Sequence, residues 1–281
     1  MPSHTAAYRH SPLTEPMPGI THALLCWIAA LNAAPSTLRV DTIPAHDTFT
    51  VASVALGEAR RINVHRPPGS TPSTRLPVLY MPDGGLDEDF PHVVRAVDSL
   101  IAAKAIRPVM VVGIPNTQRR RDLTGPTRFA SDSAVAPRVG GSAAFRAFVR
   151  DELIPAVNTR YRTTGERAIV GESLAGLFVV ETFLLEPSLF THYIALDPSI
   201  WWNGGALVAE AEARLRAFPA GERSFYLGSA PSTELPPGAA ALAAHLGAAK
   251  QLRWHFEPRP ELQHSTIFLA LEGVALQHAL R

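Results

Sequence analysis

Six short apolar runs, each followed by residues at helical spacing, constrain what this 281-residue chain can fold into. The runs are Leu76–Met81, Val109–Ile114, Ala168–Gly171, Tyr193–Leu196, Phe225–Leu227 and Leu252–Phe256. Unbroken runs of this length suit strands buried on both faces, as in a parallel sheet. Between them Val93, Val94, Val97, Leu100 and Ile101 keep a helical period, as do Phe145, Phe148, Val149, Leu153 and Val157. The alternation predicts an α/β chain: a three-layer sandwich with a mostly parallel central sheet. Upstream, Phe49–Ala55 and Arg61–Arg66 alternate apolar and polar residues around Gly57-Glu58, which predicts an N-terminal antiparallel hairpin. Ligands on such sheets bind beyond the carboxyl ends of the strands. The loops after the runs are therefore where chemistry is expected.

Composition narrows the class. With 46% hydrophobic residues the chain can bury a sizeable core, and a formal net charge of +1 argues against a broadly basic nucleic-acid binder. The single cysteine, Cys26, excludes an internal disulfide framework and a cysteine-based zinc site. Residues 1–34 differ from the rest: Arg9 and His10 precede the apolar run Ala23–Leu31, and the small residues Asn32-Ala33-Ala34 follow. That order matches a secretory signal, the alternative being an ordinary surface helix or leader. Removal would leave residues 35–281 as the folded domain, in the periplasm or secreted; retention would place the chain in the cytoplasm. The apolar run falls short of the ~20 residues a membrane span needs, so stable insertion is not expected.

The most specific local pattern is Ala168-Ile169-Val170-Gly171-Glu172-Ser173-Leu174-Ala175-Gly176-Leu177-Phe178. A buried strand runs directly into a serine between small residues and then into an apolar helix. This is the pattern of a nucleophile elbow, a sharp turn that lifts the serine hydroxyl above the sheet. Gly171 stands two residues before the serine, and Ala175 replaces the usual glycine two residues after it. At a helix N-terminus the Leu174 amide is a natural oxyanion donor. Leu79–Leu86 ends a second strand with Gly84-Gly85, which suits a close backbone approach to a ligand or a simple tight turn.

A serine nucleophile needs a base, usually histidine. Of 11 histidines, His264 lies after the last apolar run and just before a terminal helical segment, in the chain order serine, acid, histidine. Three carboxylates are candidates for the acid. Glu234 follows the run Phe225–Leu227 and is preferred, Asp197 ends the preceding run, and Glu261 lies three residues before His264.

Taken together, these blocks resemble the esterase D-like family of the α/β-hydrolases. The likeness rests on Gly171–Gly176, Asp197-Pro198-Ser199-Ile200-Trp201-Trp202-Asn203, His264-Ser265-Thr266, Tyr80–Gly85 and Asn116–Thr124, in family order from about residue 60 to 275. That family includes enzymes that open trilactone siderophores, simple carboxylesterases and S-formylglutathione hydrolases, with acyl-transferring relatives. The resemblance implies Ser173 as nucleophile, His264 as base, and the Leu174 and Gly85 amides as the oxyanion hole. It also favours an acid after the strand ending near Leu227, hence Glu234.

Arg119, Arg120 and Arg121 fall in the loop after Val109–Ile114, suited either to an anionic substrate or to an arginine–Asp122 pair that shapes the loop. Trp201 and Trp202 suit a pocket wall or a sheet cap with bonded indole N–H groups. The expected function is serine carboxylic-ester hydrolysis through an acyl-enzyme, on siderophore-type or small acyl or aryl esters. An acyltransferase or a non-catalytic ligand-binding member of the fold is the alternative. The chemistry requires no metal or organic cofactor, the expected partner is a small-molecule ester, and oligomeric state leaves no signal in the sequence.

Overall fold

The computed structural model describes residues 43–134, 136–230 and 238–281. The candidate leader 1–34, Cys26 and Glu234 lie outside the described residues.

The hairpin forms from β1 (Asp47–Ser53) and β2 (Glu58–His65), paired antiparallel with Phe49 opposite Ile62. Glu58, expected in the turn, is the first residue of β2 instead. β3 (Leu76–Pro82), α1 (Phe90–Ala102) and β4 (Met110–Ile114) follow. A loop then carries the short helices α2 (Arg119–Leu123) and α3 (Ala130–Ser133). The predicted helix over Phe145–Val157 is three joined pieces: α4 (Ser142–Ala147), a π-helical stretch Phe148–Leu153, and α5 (Ile154–Arg160). Next come β5 (Thr163–Glu172), α6 (Ser173–Leu185), β6 (His192–Leu196), α7 (Trp202–Arg216) and β7 (Arg223–Ser229). The chain finishes with α8 (Ala239–Leu246), β8 (Leu252–Pro258) and α9 (His264–Leu280).

One eight-stranded sheet results, in the order β1-β2-β4-β3-β5-β6-β7-β8. β2 is antiparallel to both neighbours, and every pair from β4 to β8 is parallel. The expected mostly parallel sheet with an antiparallel N-terminal edge is what forms.

Strand alternation divides the core into two halves. Tyr80, Val112, Ile169, Tyr193 and Phe225 face the side covered by α4 to α8. Leu79, Val111, Val170, Ile194 and Tyr226 face α1 and α9. α6 is apolar all round because it is covered all round: every residue from Leu174 to Leu184 is buried. Its Phe183 stacks on Phe225 with ring centres 4.4 Å apart, fixing the helix to the sheet below the elbow. Among the described residues, no helix is long and apolar enough to cross a membrane, and no three His, Cys, Asp or Glu side chains are grouped to hold a metal ion.

Candidate active site

Five segments meet beyond the carboxyl ends of the parallel strands. β5 ends at Glu172, and α6 begins at once with Ser173, whose φ is +58°. A non-glycine residue in this region costs about 1–3 kcal/mol and is retained where surrounding packing over-determines it. Gly171 shows that packing: a Cβ added there would lie 2.6 Å from the Ala175 carbonyl carbon and 2.8 Å from its Cβ. No side chain fits two residues before the serine, while the methyl of Ala175 two residues after it is fully buried. The Ser199 N–H donates to the Ser173 carbonyl at 3.0 Å and ties the loop after β6 to the elbow.

His264 opens α9, behind a capping box in which Gln263 and Thr266 satisfy each other's backbone amides. Its Nε2 lies 3.0 Å from Ser173 Oγ, and its Nδ1 lies 2.6 Å from Asp197 Oδ2. Asp197 follows β6 with φ +42°, is buried, and accepts the Ala230 N–H on Oδ1 at 2.9 Å. Both carboxylate oxygens are therefore committed, which fixes the plane presented to the imidazole. With Nδ1–H donating to Asp197, the Nε2 lone pair faces the serine hydroxyl, the arrangement that can take its proton. The hydrogen bond to Asp197 holds His264 above the ordinary histidine range; partial burial opposes the charge and Glu172 adds to it.

The carboxylate at His264 Nδ1 is thus Asp197, the second of the three candidates. Glu261 is exposed and bonded to Arg259 at 2.6 Å, away from the imidazole. Glu234 has no described position. The single N–H at Nδ1 has one place for an acceptor, and Asp197 fills it.

Leu174 is the second residue of α6, among the first amides of a helix that lack an intrahelical acceptor. The Gly85 N–H is already engaged, donating to Glu88 Oε2 at 2.7 Å. Asn116 Nδ2 holds that carboxylate through Oε1 at 2.8 Å and also donates to Asp83 Oδ1 at 2.5 Å. The neighbouring Gly84 serves close packing, since a Cβ there would sit 2.2 Å from the Ile114 nitrogen.

The arginines divide. Arg119 grips Asp83 with Nε and Nη2, each at 2.7 Å, a two-pronged pair. Arg121 binds Asp122 at 2.6 Å and Glu58 at 3.0 Å. Arg121 makes the arginine–Asp122 pair that the sequence allowed, and Arg119 pairs with Asp83 instead. Arg119, Arg120, Arg121 and Arg138 line a cavity of about 440 Å³ together with Gln118, Ala136 and Pro137, Arg120 and Arg138 being exposed. Trp202 is buried and donates its indole N–H to the Gly125 carbonyl at 2.8 Å, the sheet-capping role with a bonded indole N–H. Trp201 is half-buried against it, with ring centres 6.1 Å apart.

Three contributors have no place in the motif pattern. Arg60 is 1% exposed, with Nη1 2.6 Å from Asp122, and it packs over Phe145 and Phe148. It anchors the arginine loop to the hairpin. Glu88 covers a backbone donor. Glu172, immediately before the serine, places Oε1 3.2 Å from His264 Nε2. Its position at the carboxyl end of a buried strand is the one signal a sequence offers for it. Burial pushes the Glu172 carboxyl up to about 7; His264 and Arg119 pull it down, while Asp89 and Asp197 push it further up.

Residues 53–225 match the model of the family described as Putative esterase. Among known proteins, the chain is 30% identical over 181 residues to ferri-bacillibactin esterase BesA of Bacillus subtilis, covering 59% of this chain and 63% of that protein. It is 33% identical over 151 residues to siderophore triacetylfusarinine C esterase of Aspergillus fumigatus, 49% of each. The matches therefore span between about half and 63% of these relatives' own length. An IroE-like serine hydrolase from Shewanella oneidensis aligns with a TM-score of 0.75 at 25% identity, over 83% of this chain and 79% of that one.

Proposed function

The chain belongs to the Putative esterase family and has the α/β-hydrolase fold, and from that premise we propose that it is a serine carboxylic-ester hydrolase acting through Ser173, His264 and Asp197. The observation that carries the proposal is the continuous chain Asp197–His264–Ser173, at 2.6 and 3.0 Å, ending on an elbow. Ser173 Oγ attacks the ester carbonyl while its proton passes to His264 Nε2. The carbonyl π electrons move to oxygen, which the Leu174 amide meets, joined by Gly85 once Glu88 releases it. Collapse expels the alcohol, which takes the proton from Nε2. Water then repeats the sequence on the acyl-enzyme and frees the acid. Asp197 keeps the Nδ1 proton in place and balances the imidazolium.

The printed names of the relatives support a siderophore or similar multi-ester substrate, and the cavity bearing Arg120 and Arg138 suits an anionic one. The expected result is hydrolysis of p-nitrophenyl acetate, with Ser173→Ala losing at least about 10³ in kcat and losing fluorophosphonate labelling. Turnover by Ser173→Ala at the wild-type rate would refute the assignment. A panel of simple esters and trilactone siderophores, with and without ferric iron, then ranks substrate classes by kcat/KM.

A further inference from the structure

Resting on the serine-hydrolase proposal, we infer that Glu172 is a positioning residue for the His264 proton: its carboxylate flanks Nε2 and supplies a second negative counter-charge to the imidazolium. The imidazole lies between two carboxylates of unequal kind. Asp197 is an aligned hydrogen-bond acceptor at Nδ1, 2.6 Å away. Glu172 Oε1 stands 3.2 Å from Nε2 at ion-pair distance, while the serine hydroxyl at 3.0 Å holds the hydrogen bond. The serine thus keeps the geometry needed for attack, and Glu172 acts through charge. Its backbone position puts it next to the nucleophile. It is the last residue of β5 and precedes a nucleophile whose own φ is +58°, so the side chain issues from the same strained turn.

Consider the proton during acylation. It leaves Ser173 Oγ as the Oγ–C bond forms, and it resides on Nε2 until the departing alkoxide takes it. In that interval Nε2–H carries positive charge beside Glu172 Oε1, so an ionised Glu172 stabilises the state that follows attack more than the state before it. The same attraction has a cost at low pH, because it also stabilises the imidazolium of the resting enzyme, which cannot accept a proton. The groups facing this pair come from every surrounding element. Asp197 after β6 and Asp89 before α1 add negative charge, and Arg119 of α2, itself gripped by Asp83, subtracts from it. Burial brings Glu172 to about 7 while the neighbouring carboxylates raise His264, so the protonation of each depends on the charge of the other.

The test is the pH profile of kcat/KM for p-nitrophenyl acetate together with an NMR titration of the His264 ring. Glu172→Gln keeps size and removes charge. The acid limb and the ring titration should both move down by about one pH unit, and the plateau kcat should fall several-fold as the base weakens. Arg119→Gln should move both upward, which generic damage to the loop does not produce. A Glu172→Gln profile that only drops in height, with limb and titration within about 0.2 unit of wild type, would overturn the inference. Should Glu172→Gln fail to fold, the Arg119→Gln shift decides alone: an unmoved or downward limb sinks the idea. Because the NMR titration needs no turnover, an inactive wild type would count against the hydrolase proposal while the ring titration still judges Glu172.

Discussion

Replacing Asp197 with asparagine isolates one question, which carboxylate orients the base. Asparagine keeps the volume, keeps Oδ1 as acceptor for the Ala230 N–H at 2.9 Å, and tolerates the +42° φ at this position. What changes is the group 2.6 Å from His264 Nδ1. An amide N–H there repels Nδ1–H and favours the tautomer with its proton on Nε2, which leaves no lone pair for the serine. In the general serine–histidine–aspartate template such a change costs about 10⁴ in kcat. The His264 side chain is 42% exposed, so the ring can turn and recover part of the geometry with help from water. The expectation is therefore a loss of about 10³, or roughly 4 kcal/mol of transition-state stabilisation. Steady-state hydrolysis of p-nitrophenyl acetate by Asp197→Asn and Glu234→Ala gives the comparison, with thermal midpoints to confirm folding. If Asp197→Asn stays within tenfold of wild type while Glu234→Ala loses three orders of magnitude, Asp197 is not the orienting acid.

The same structure sets other outcomes. Glu88→Gln should raise kcat about threefold to tenfold, since a neutral amide yields the Gly85 N–H to an oxyanion more readily than a carboxylate does; a tenfold loss would mean that Glu88 supports turnover. Arg60→Met strips Asp122, itself 1% exposed, of its 2.6 Å partner, and denaturant melts should show a loss of about 3 kcal/mol; an unchanged midpoint would show that Arg121 alone suffices. His92 contributes stability with a defined pH sign. Burial opposes its charge, but hydrogen bonds to Asp89 and Glu272 raise it to about 9. Its contribution is therefore complete below about 6.5 and disappears as pH rises through about 9. The thermal-midpoint gap between wild type and His92→Gln should be widest at pH 6 and close above pH 10; a gap independent of pH would contradict this.

Much of the architecture is legible in the chain because it is local. The strand runs are apolar on consecutive residues since both faces of the sheet are covered, and that burial leaves its mark on each segment separately. Boundaries shift where local pattern is a weaker guide. β5 begins at Thr163 because its first residues pair with the start of β3 while still partly solvated, so no apolar run announces them. The break of the Phe145–Val157 helix into a π-helical middle is also silent, because the apolar spacing is the same on both sides of it.

The serine elbow, the histidine after the last strand and the doubly covered parallel sheet were determined by the sequence itself, since each follows from neighbours within a few residues. Which carboxylate meets the imidazole was decided only in three dimensions. Asp197 and His264 are 67 residues apart, and β6 and α9 are brought together by packing that no local pattern encodes. The arginine loop follows the same logic in part: Asp122 lies beside Arg121 in the chain, but Asp83 after β3 and Glu58 of β2 reach Arg119 and Arg121 from elsewhere in the fold. The Gly85 amide meets Glu88 through a loop whose course depends on Asn116, beyond another strand. Charge pairing acts over a few ångströms of space regardless of chain separation, and for that reason the long-range partners, Asp197 at His264, Asp83 at Arg119 and Glu58 at Arg121, belonged to the tertiary structure.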